Sequence, residues 1–186
     1  MISAPEFDEL FDRYKTEVFH LACYLARDRG EAEDLFQDVW LRVVKHPPEK
    51  RAKEDLKPWL LTILINLHRD RLRRNRIRRL FLIKSAAGKT GGAEETGADP
   101  ARDAEQAVLQ SSINAAIARL PERQRYVFLL KEVEGLGQAE IAAALRIPLG
   151  TVKSLLFRAV KKLRRELGEY DPGRERVKCD VKILSV

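Results

Sequence analysis

Apolar side chains recur every three or four residues through the first half of this chain. The spacing predicts a first helix that ends near Ala26, a turn over 27–30 and a second helix from about Glu31 to Val44. A third helix is predicted to open at Pro58, because proline suits the first turn of a helix. Its apolar positions are Trp59, Leu60, Ile63, Leu64 and Leu67.

The segment 85–103 has four glycines, several alanines, no large apolar side chain and a net acidic charge. That composition is typical of a flexible linker. Beyond it, helical spacing resumes from Leu109 to Leu120, and Pro121 opens a further helix to about Glu134.

The chain is therefore predicted to be all-α, with two small helical domains joined by a flexible linker. The domains are expected at 1–84 and 104–168, followed by a tail at 169–186. Apolar and polar residues alternate within the tail, which is compatible with a strand added to a partner's sheet edge or with disorder.

The stretch 136–167 predicts a helix-turn-helix in the second domain. Ile141, Ala142 and Leu145 mark a short helix, and Pro148 and Gly150 are expected to break it. In the helix that follows, the buried stripe is predicted to be Val152, Leu156, Ala159 and Leu163. The opposite face is basic and carries a hydroxyl group, which suits a helix that enters the major groove. A surface helix hairpin with solvated lysines is the plainer interpretation.

Charge supports a polyanionic partner. The net charge is +7, the sequence pI is near 9.5, and seven arginines lie between Asn66 and Arg79. Such clustering favours nucleic acid or anionic lipid. The predicted helix-turn-helix favours nucleic acid.

Cysteine usage and hydropathy exclude several other classes. Cys23 is expected in the core, and Cys23 and Cys179 show no zinc-binding or disulfide pattern. The longest apolar run, at 59–65, is too short to span a membrane. The N-terminus is acidic, unlike a signal peptide. We expect a cytoplasmic protein with no membrane insertion, no cofactor and no metal.

The outward stripe of the second predicted helix consists of Asp34, Gln37, Asp38 and Leu41. On the residues alone, a solvated face is the better interpretation and a partner-binding face the alternative. A third hypothesis is an enzyme in which Asp34, Asp38 and His20 hold a metal ion for phosphodiester chemistry. It is disfavoured, because no further acids or histidines converge on the pair.

Two sets of motifs resemble bacterial sigma factors. Residues 32–41, Pro58-Trp59-Leu60 and residues 70–74 resemble region 2 of that family. Residues 120–125, 134–136, 140–142 and 150–154 resemble region 4. A short linker that joins only these two regions is similar to the extracytoplasmic-function (ECF) class.

The resemblance implies partners for the exposed surfaces. Asp34, Gln37, Asp38 and Leu41 would bind the clamp helices of core RNA polymerase, which reverses the interpretation of this stripe as a solvated face. The flap region of the polymerase would be a further contact, and the acidic linker would thread the RNA exit path. The family is commonly held inactive by an anti-sigma factor.

The resemblance also implies contacts with promoter DNA. The loop 46–57 would capture a base of the −10 element, and the arginines that follow would hold phosphates nearby. The residues implied in −10 binding are Lys53, Asn66, Arg69, Arg71, Arg73 and Arg74. Leu56 stands where relatives often carry an aromatic residue. The −35 element would be bound by Thr151, Lys153, Ser154, Phe157, Arg158 and Lys161. Leu155 stands where relatives often carry arginine.

These expectations describe a promoter-specificity subunit that is not an enzyme. It would confer promoter recognition and DNA melting on the core RNA polymerase. The alternative hypothesis is a stand-alone helix-turn-helix regulator that binds DNA without polymerase, and it leaves the stripe around Asp34 without a function.

Overall fold

The structure, a computed structural model, describes residues 3–48, 56–83 and 103–168. These residues form seven α-helices and one π-helical turn: α1 (Ala4–Leu25), α2 (Arg29–Lys45), α3 (Lys57–Ile83), α4 (Asp103–Ala118), α5 (Glu122–Phe128), the π-helical turn (Leu129–Val133), α6 (Gln138–Leu145) and α7 (Leu149–Leu167). Helices α1–α3 form one compact unit and the helices from α4 onward form another. The all-α prediction with two helical parts is confirmed. Most of the predicted linker and all of the tail, with Cys179, lie outside the described residues.

In the first unit, α1, α2 and α3 each contact the other two helices. Each contributes one apolar stripe to the shared core, for example Val18, Leu35 and Leu64, all fully buried. An aromatic cluster extends this core between α1 and α2, where the ring of Trp40 lies 4.8 Å from that of Phe11 and 6.0 Å from that of Phe36. Such edge-to-face pairs add to the stabilisation that burial provides.

Two expectations about the end of α1 and the start of α2 are wrong. The turn at 27–30 is shorter than predicted, because the Asp28 carboxylate accepts a hydrogen bond from the Glu31 N–H at 2.8 Å and caps a helix that begins at Arg29. Cys23 is exposed rather than buried. It follows the fully buried Ala22, and one residue along an α-helix turns the side chain about 100° away.

The buried stripe of α3 is also rotated from the predicted one. Leu60 and Leu64 are buried as expected, whereas Trp59, Ile63 and Leu67 are only half-buried. The stripe is completed by Leu61, Ile65 and His68. Because His68 is polar, apolar spacing alone placed the centre of the stripe one residue too early.

In the second unit, α4, α5 and α6 all pack against α7. The α7 stripe has Val152, Ala159 and Leu163 buried, while Leu156 is half-buried. The Lys162 ammonium group donates a hydrogen bond to the carbonyl oxygen of Arg119 at 2.6 Å. Because Arg119 directly follows α4, this bond joins the end of that helix to α7.

The helix predicted from Glu122 to Glu134 is α-helical only to Phe128 and continues as a π-helical turn. The N–H of Glu134 donates to the carbonyl oxygen of Leu129 at 3.0 Å, across five residues rather than four. Leu129 and its neighbour Leu130 are both buried. Nothing in the apolar spacing predicted this wider turn.

The turn between α6 and α7 depends on Arg146. Its backbone is left-handed, with φ 53°, and the N–H of Ile147 donates to the carbonyl oxygen of Ala142 at 3.0 Å. This geometry closes a helix C-terminus and is usually supplied by glycine. The prediction that Gly150 breaks the helix is wrong, because α7 already begins at Leu149, directly after Pro148.

We expect Arg146→Gly to be more stable than Arg146→Ala by about 1 kcal/mol, because glycine adopts the left-handed conformation without the clash of a Cβ atom. Both variants lose the same charged side chain, so the comparison isolates the backbone. Urea unfolding of the full chain followed by far-UV circular dichroism measures the difference. Tryptophan fluorescence is the internal control, since Trp40 and Trp59 both lie in the first unit. Equal stability of the two variants would contradict a left-handed residue 146.

Candidate nucleic-acid and polymerase interface

The outward face of α7 displays the side chains predicted to contact the −35 element. Phe157 is 69% exposed, which is unusual for a large apolar side chain on a well-packed helix. The other exposed members are Lys153, Ser154, Arg158 and Lys161. Thr151 is half-buried, and its carbonyl oxygen accepts a hydrogen bond from the Ser154 hydroxyl at 3.0 Å. The structure therefore brings all six predicted residues to the first four turns of one helix.

This set of side chains suits the major groove of DNA. Arginine can donate two hydrogen bonds to guanine O6 and N7, serine tolerates several bases, and phenylalanine can contact a thymine methyl group. Lysines on the same face supply phosphate contacts, which position a protein without reading sequence. The face is rigidly held, because three helices pack against the opposite side of α7.

A second basic surface lies along α3, on both sides of the buried His68. Asn66, just before His68, and Arg69, Arg73 and Arg74, after it, are exposed, as the −10 prediction requires. Lys53 lies outside the described residues. Exposed arginines along one helix can hold the phosphates of a nucleic-acid backbone.

The predicted polymerase-binding stripe lies on the face of α2 opposite the core. Asp34, Gln37 and Leu41 are exposed, and Asp38 is half-buried. Leu41 stands at the centre of this face with 56% of its surface exposed, and Val44 adds a second exposed apolar residue one turn further on. An apolar centre flanked by carboxylates suits a protein partner with a basic surface.

Arg71 differs from the other predicted −10 residues. Its side chain is only 21% exposed, and its guanidinium donates to the Asp38 carboxylate at 3.0 Å. The same group donates to the carbonyl oxygen of Glu31 at 3.3 Å and lies 3.9 Å from the Asp34 carboxylate. The structure thus joins the predicted polymerase stripe to the predicted −10 surface through one arginine. Spacing along the sequence gave no signal for a contact between side chains on separate helices.

Beside this contact is an open cavity of about 570 Å³. It is lined by Asp38, Arg71, Arg74, Asn75, Ile77 and Arg78. Three guanidinium groups and an amide make the walls rich in hydrogen-bond donors, and the Asp38 carboxylate is the acidic group among the lining residues. A donor-rich cavity of this kind favours an anion.

The residues of the metal-dependent enzyme hypothesis are not gathered into a metal site. His20 packs against the ring of Tyr24, while Asp38 is bonded to Arg71. Burial lowers the pKa of His20, and the positive charge of Lys57 lowers it further. Within the described ranges, no three His, Cys, Asp or Glu side chains come together as a metal ion would require. No described helix is both long and apolar enough to cross a membrane.

Comparison with known proteins accounts for both units. Residues 10–78 match the model of Sigma-70 region 2, and residues 110–163 match that of Sigma-70 region 4. The chain is 30% identical over 166 residues to the ECF RNA polymerase sigma factor SigW of Bacillus subtilis, covering 87% of this chain and 88% of that protein. It belongs to the ECF sigma factors. The chain therefore directs RNA polymerase to promoters and is not an enzyme.

A second relative supports the same assignment. SigM of Mycobacterium tuberculosis, also an ECF sigma factor, is 31% identical over 169 residues, covering 90% of this sigma factor and 80% of the relative. The stand-alone regulator hypothesis is set aside, because the region 2 match accounts for the first unit, which that hypothesis leaves without a function.

Solved structures show the same fold. The sigma factor RpoE of Bartonella quintana, in complex with the anti-sigma factor NepR, has a TM-score of 0.69 at 22% identity and covers 88% of this chain and 97% of its own. CnrH, in complex with the cytosolic domain of CnrY, has a TM-score of 0.64 at 18% identity, with 91% and 92% covered. At these identities the likeness concerns the fold alone.

We expect Phe157→Ala to change the free energy of unfolding of this sigma factor by less than about 0.5 kcal/mol, because the ring is exposed and packs little. Leu163→Ala, on the buried stripe of the same helix, should cost about 2–4 kcal/mol. Urea unfolding followed by far-UV circular dichroism measures both. A large loss of stability in the Phe157 variant would mean that the ring belongs to the core.

Proposed function

We propose that this sigma factor divides promoter recognition among three faces. The stripe on α2 binds the clamp helices of core RNA polymerase, the arginines of α3 hold the −10 region, and the outward face of α7 contacts the −35 element. The observation that carries this proposal is that most described members of all three sets are exposed, on helices whose opposite faces form the two cores.

The α2 stripe is proposed as the polymerase contact because it combines an exposed apolar residue with short acidic side chains. Leu41 can be buried by a partner, while Asp34 and Gln37 can form hydrogen bonds and ion pairs around it. Interfaces with an apolar centre and a polar rim are the common arrangement for specific protein partners. The polymerase flap region is proposed as a second contact, made by region 4.

The −10 role of α3 rests on its charge and exposure. Asn66, Arg69, Arg73 and Arg74 can follow the phosphates of a melted strand, which supplies affinity but little sequence information. We propose that the loop 46–57, including Lys53, captures a base beside them. Arg71 stays a predicted −10 residue, and in the free protein it is engaged with Asp38.

The −35 role of α7 rests on a basic face with one exposed aromatic ring. Each DNA-binding unit alone is expected to bind DNA with modest affinity. Joining the two units through the linker 85–103 and the polymerase raises their effective concentration at one promoter. The limits 1–84, 104–168 and 169–186 stay proposed boundaries. We further propose that the protein is cytoplasmic, because the partners proposed for it are RNA polymerase and chromosomal DNA.

An anti-sigma factor is the proposed regulator. Family membership supports it, and the sigma factor RpoE, which has the same fold, was solved in complex with the anti-sigma factor NepR. A regulator that covered the α2 stripe would compete with the polymerase. A neighbouring gene for a small membrane protein with a cytoplasmic helical domain would identify a candidate.

Run-off transcription with purified core polymerase on a library of genomic promoter fragments tests the function. We expect promoter-dependent transcripts with the wild-type chain, and none across the library would overturn the proposal.

Leu41→Asn should weaken binding to core polymerase about tenfold, because a buried apolar contact is lost.

Arg42→Asn is the matched control, since it introduces the same residue at the next exposed position of α2, which is not a member of the stripe and lies about 100° around the helix from Leu41. Equal losses of polymerase affinity in the Leu41 and Arg42 variants would show that the stripe is not the contact.

Arg158→Ala should weaken −35 recognition by about 1–3 kcal/mol at the cognate sequence and by less elsewhere, because the guanidinium is proposed to contact base edges. Arg164→Ala, also exposed on α7 but turned well away from Arg158, is the control and should have a small effect. Competition binding of the polymerase complex to promoters with altered −35 elements measures both. A uniform loss across sequences would make Arg158 a phosphate contact.

A further inference from the structure

The Asp38 carboxylate lies among groups that would otherwise attract an anion. It shares the cavity between α2 and α3 with the guanidinium groups of Arg71, Arg74 and Arg78 and with the amide of Asn75. Its contact with Arg71 is a charge-assisted hydrogen bond of 3.0 Å. Carboxylate and phosphate groups bind the arginine fork in similar ways, so Asp38 holds the position that a phosphate oxygen would take.

Asp38 also belongs to the stripe proposed to bind polymerase. Its side chain is 44% exposed, so a carboxylate oxygen remains open to a cation from a partner while the other contacts Arg71. Asp34, 3.9 Å from the same guanidinium, adds a second negative charge one turn away. A cationic partner and Arg71 therefore compete for the same carboxylates.

We infer that the cavity lined by Arg71, Arg74, Asn75 and Arg78 is a phosphate-binding site for single-stranded nucleic acid, and that Asp38 occupies it in the free sigma factor. The identity of the cationic partner, core polymerase, rests on the proposed function. When that partner pairs with Asp38, the carboxylate no longer neutralises Arg71 or repels a phosphate, and the cavity gains affinity for the strand.

The coupling has a definite sign. Removing a negative charge from beside three cations raises the local positive potential and so strengthens phosphate binding. Coupling between two binding sites is reciprocal, so a phosphate in the cavity must also strengthen cation binding at Asp38. The sigma factor would thereby hold the −10 strand weakly when free and more tightly when bound to polymerase.

A purely structural role for Arg71 is the alternative. It joins α3 to α2 through the Glu31 carbonyl oxygen as well as through Asp38, and such a bridge could serve only to hold the two helices together. The two roles differ in nucleic-acid binding. A structural bridge predicts no gain in phosphate affinity when the Asp38 charge is removed.

The test uses the full-length sigma factor without polymerase and measures its binding to a fluorescein-labelled oligothymidylate at low salt by anisotropy. Asp38→Asn keeps the shape of the side chain and removes its charge, and we expect the oligonucleotide to bind about three- to tenfold more tightly. Glu33→Gln is the matched control. Glu33 lies on the same helix, pairs with Arg29 at 2.9 Å and carries the same charge, so this variant should show little gain.

Adding Arg71→Gln to Asp38→Asn should remove the gain, because the released guanidinium is its main source. Any binding by the basic face of α7 is common to all variants and cancels in the comparison. Equal gains in the Asp38 and Glu33 variants would show a bulk charge effect and overturn the inference. No gain in Asp38→Asn, or a gain that survives the loss of Arg71, would overturn it as well.

Polymerase is absent from this experiment, so its outcome is independent of the run-off assay. A chain that directs no transcription but shows the Asp38-specific gain would refute the proposed function and leave the phosphate site standing. A chain that directs transcription without the gain would refute the phosphate site alone.

Discussion

Burial of one apolar stripe per helix is the constraint on which both units depend. Units of this size cannot surround their helices, so a side of α2, α3 and α7 must face solvent. Val18, Leu35 and Leu64 form the centre of the first core, and Val152 and Ala159 lie at the centre of the second. The outward faces are thus fixed in direction by the packing behind them. A rigid display of side chains lowers the entropy lost when a partner binds.

Along α3 the same constraint changes the character of the helix. Up to His68 the helix is held by burial, and from there to residue 78 its charged side chains other than Arg71 are exposed. Like charges on successive turns repel one another, which disfavours the helix. The contact of Arg71 with Asp38 and Asp34 offsets part of that repulsion where α3 still lies against α2. The basic extension is therefore anchored both by apolar packing and by an ion pair at its base.

Much of this arrangement could be predicted from the sequence, because helical spacing and motif order are local signals. The stripes on α1, α2 and α7 and the exposed face with Phe157 follow from periodicity alone. The motifs gave the family, and the family gave a role to the face around Asp34. Periodicity gave the wrong burial for residues whose polarity does not match their surroundings. Cys23 is apolar yet exposed, and His68 is polar yet buried.

Other features depend on contacts that spacing does not encode. The π-helical turn at Leu129–Val133 begins with two buried consecutive leucines, and the spacing of apolar residues does not distinguish it from an α-helix. The left-handed turn falls on Arg146, a residue type that rarely adopts it, while the nearby glycine is helical. The bond between Arg71 and Asp38 joins residues 33 positions apart on different helices. Each of these is decided by tertiary packing rather than by local propensity.

The position of Arg71 determines how substitutions on either surface can be interpreted. A cation introduced at Asp38 would replace the present ion pair with Arg71, 3.0 Å long, by two like charges on neighbouring helices. The lost ion pair and the new repulsion would weaken the contact between α2 and α3, and a loss of polymerase binding would then have two causes. Leu41 lies on the same stripe with most of its surface open, so its substitution removes a partner contact and leaves the ion pair in place. A substitution of Leu41 therefore affects the polymerase-binding stripe alone, whereas a substitution of Asp38 affects both the stripe and the −10 surface.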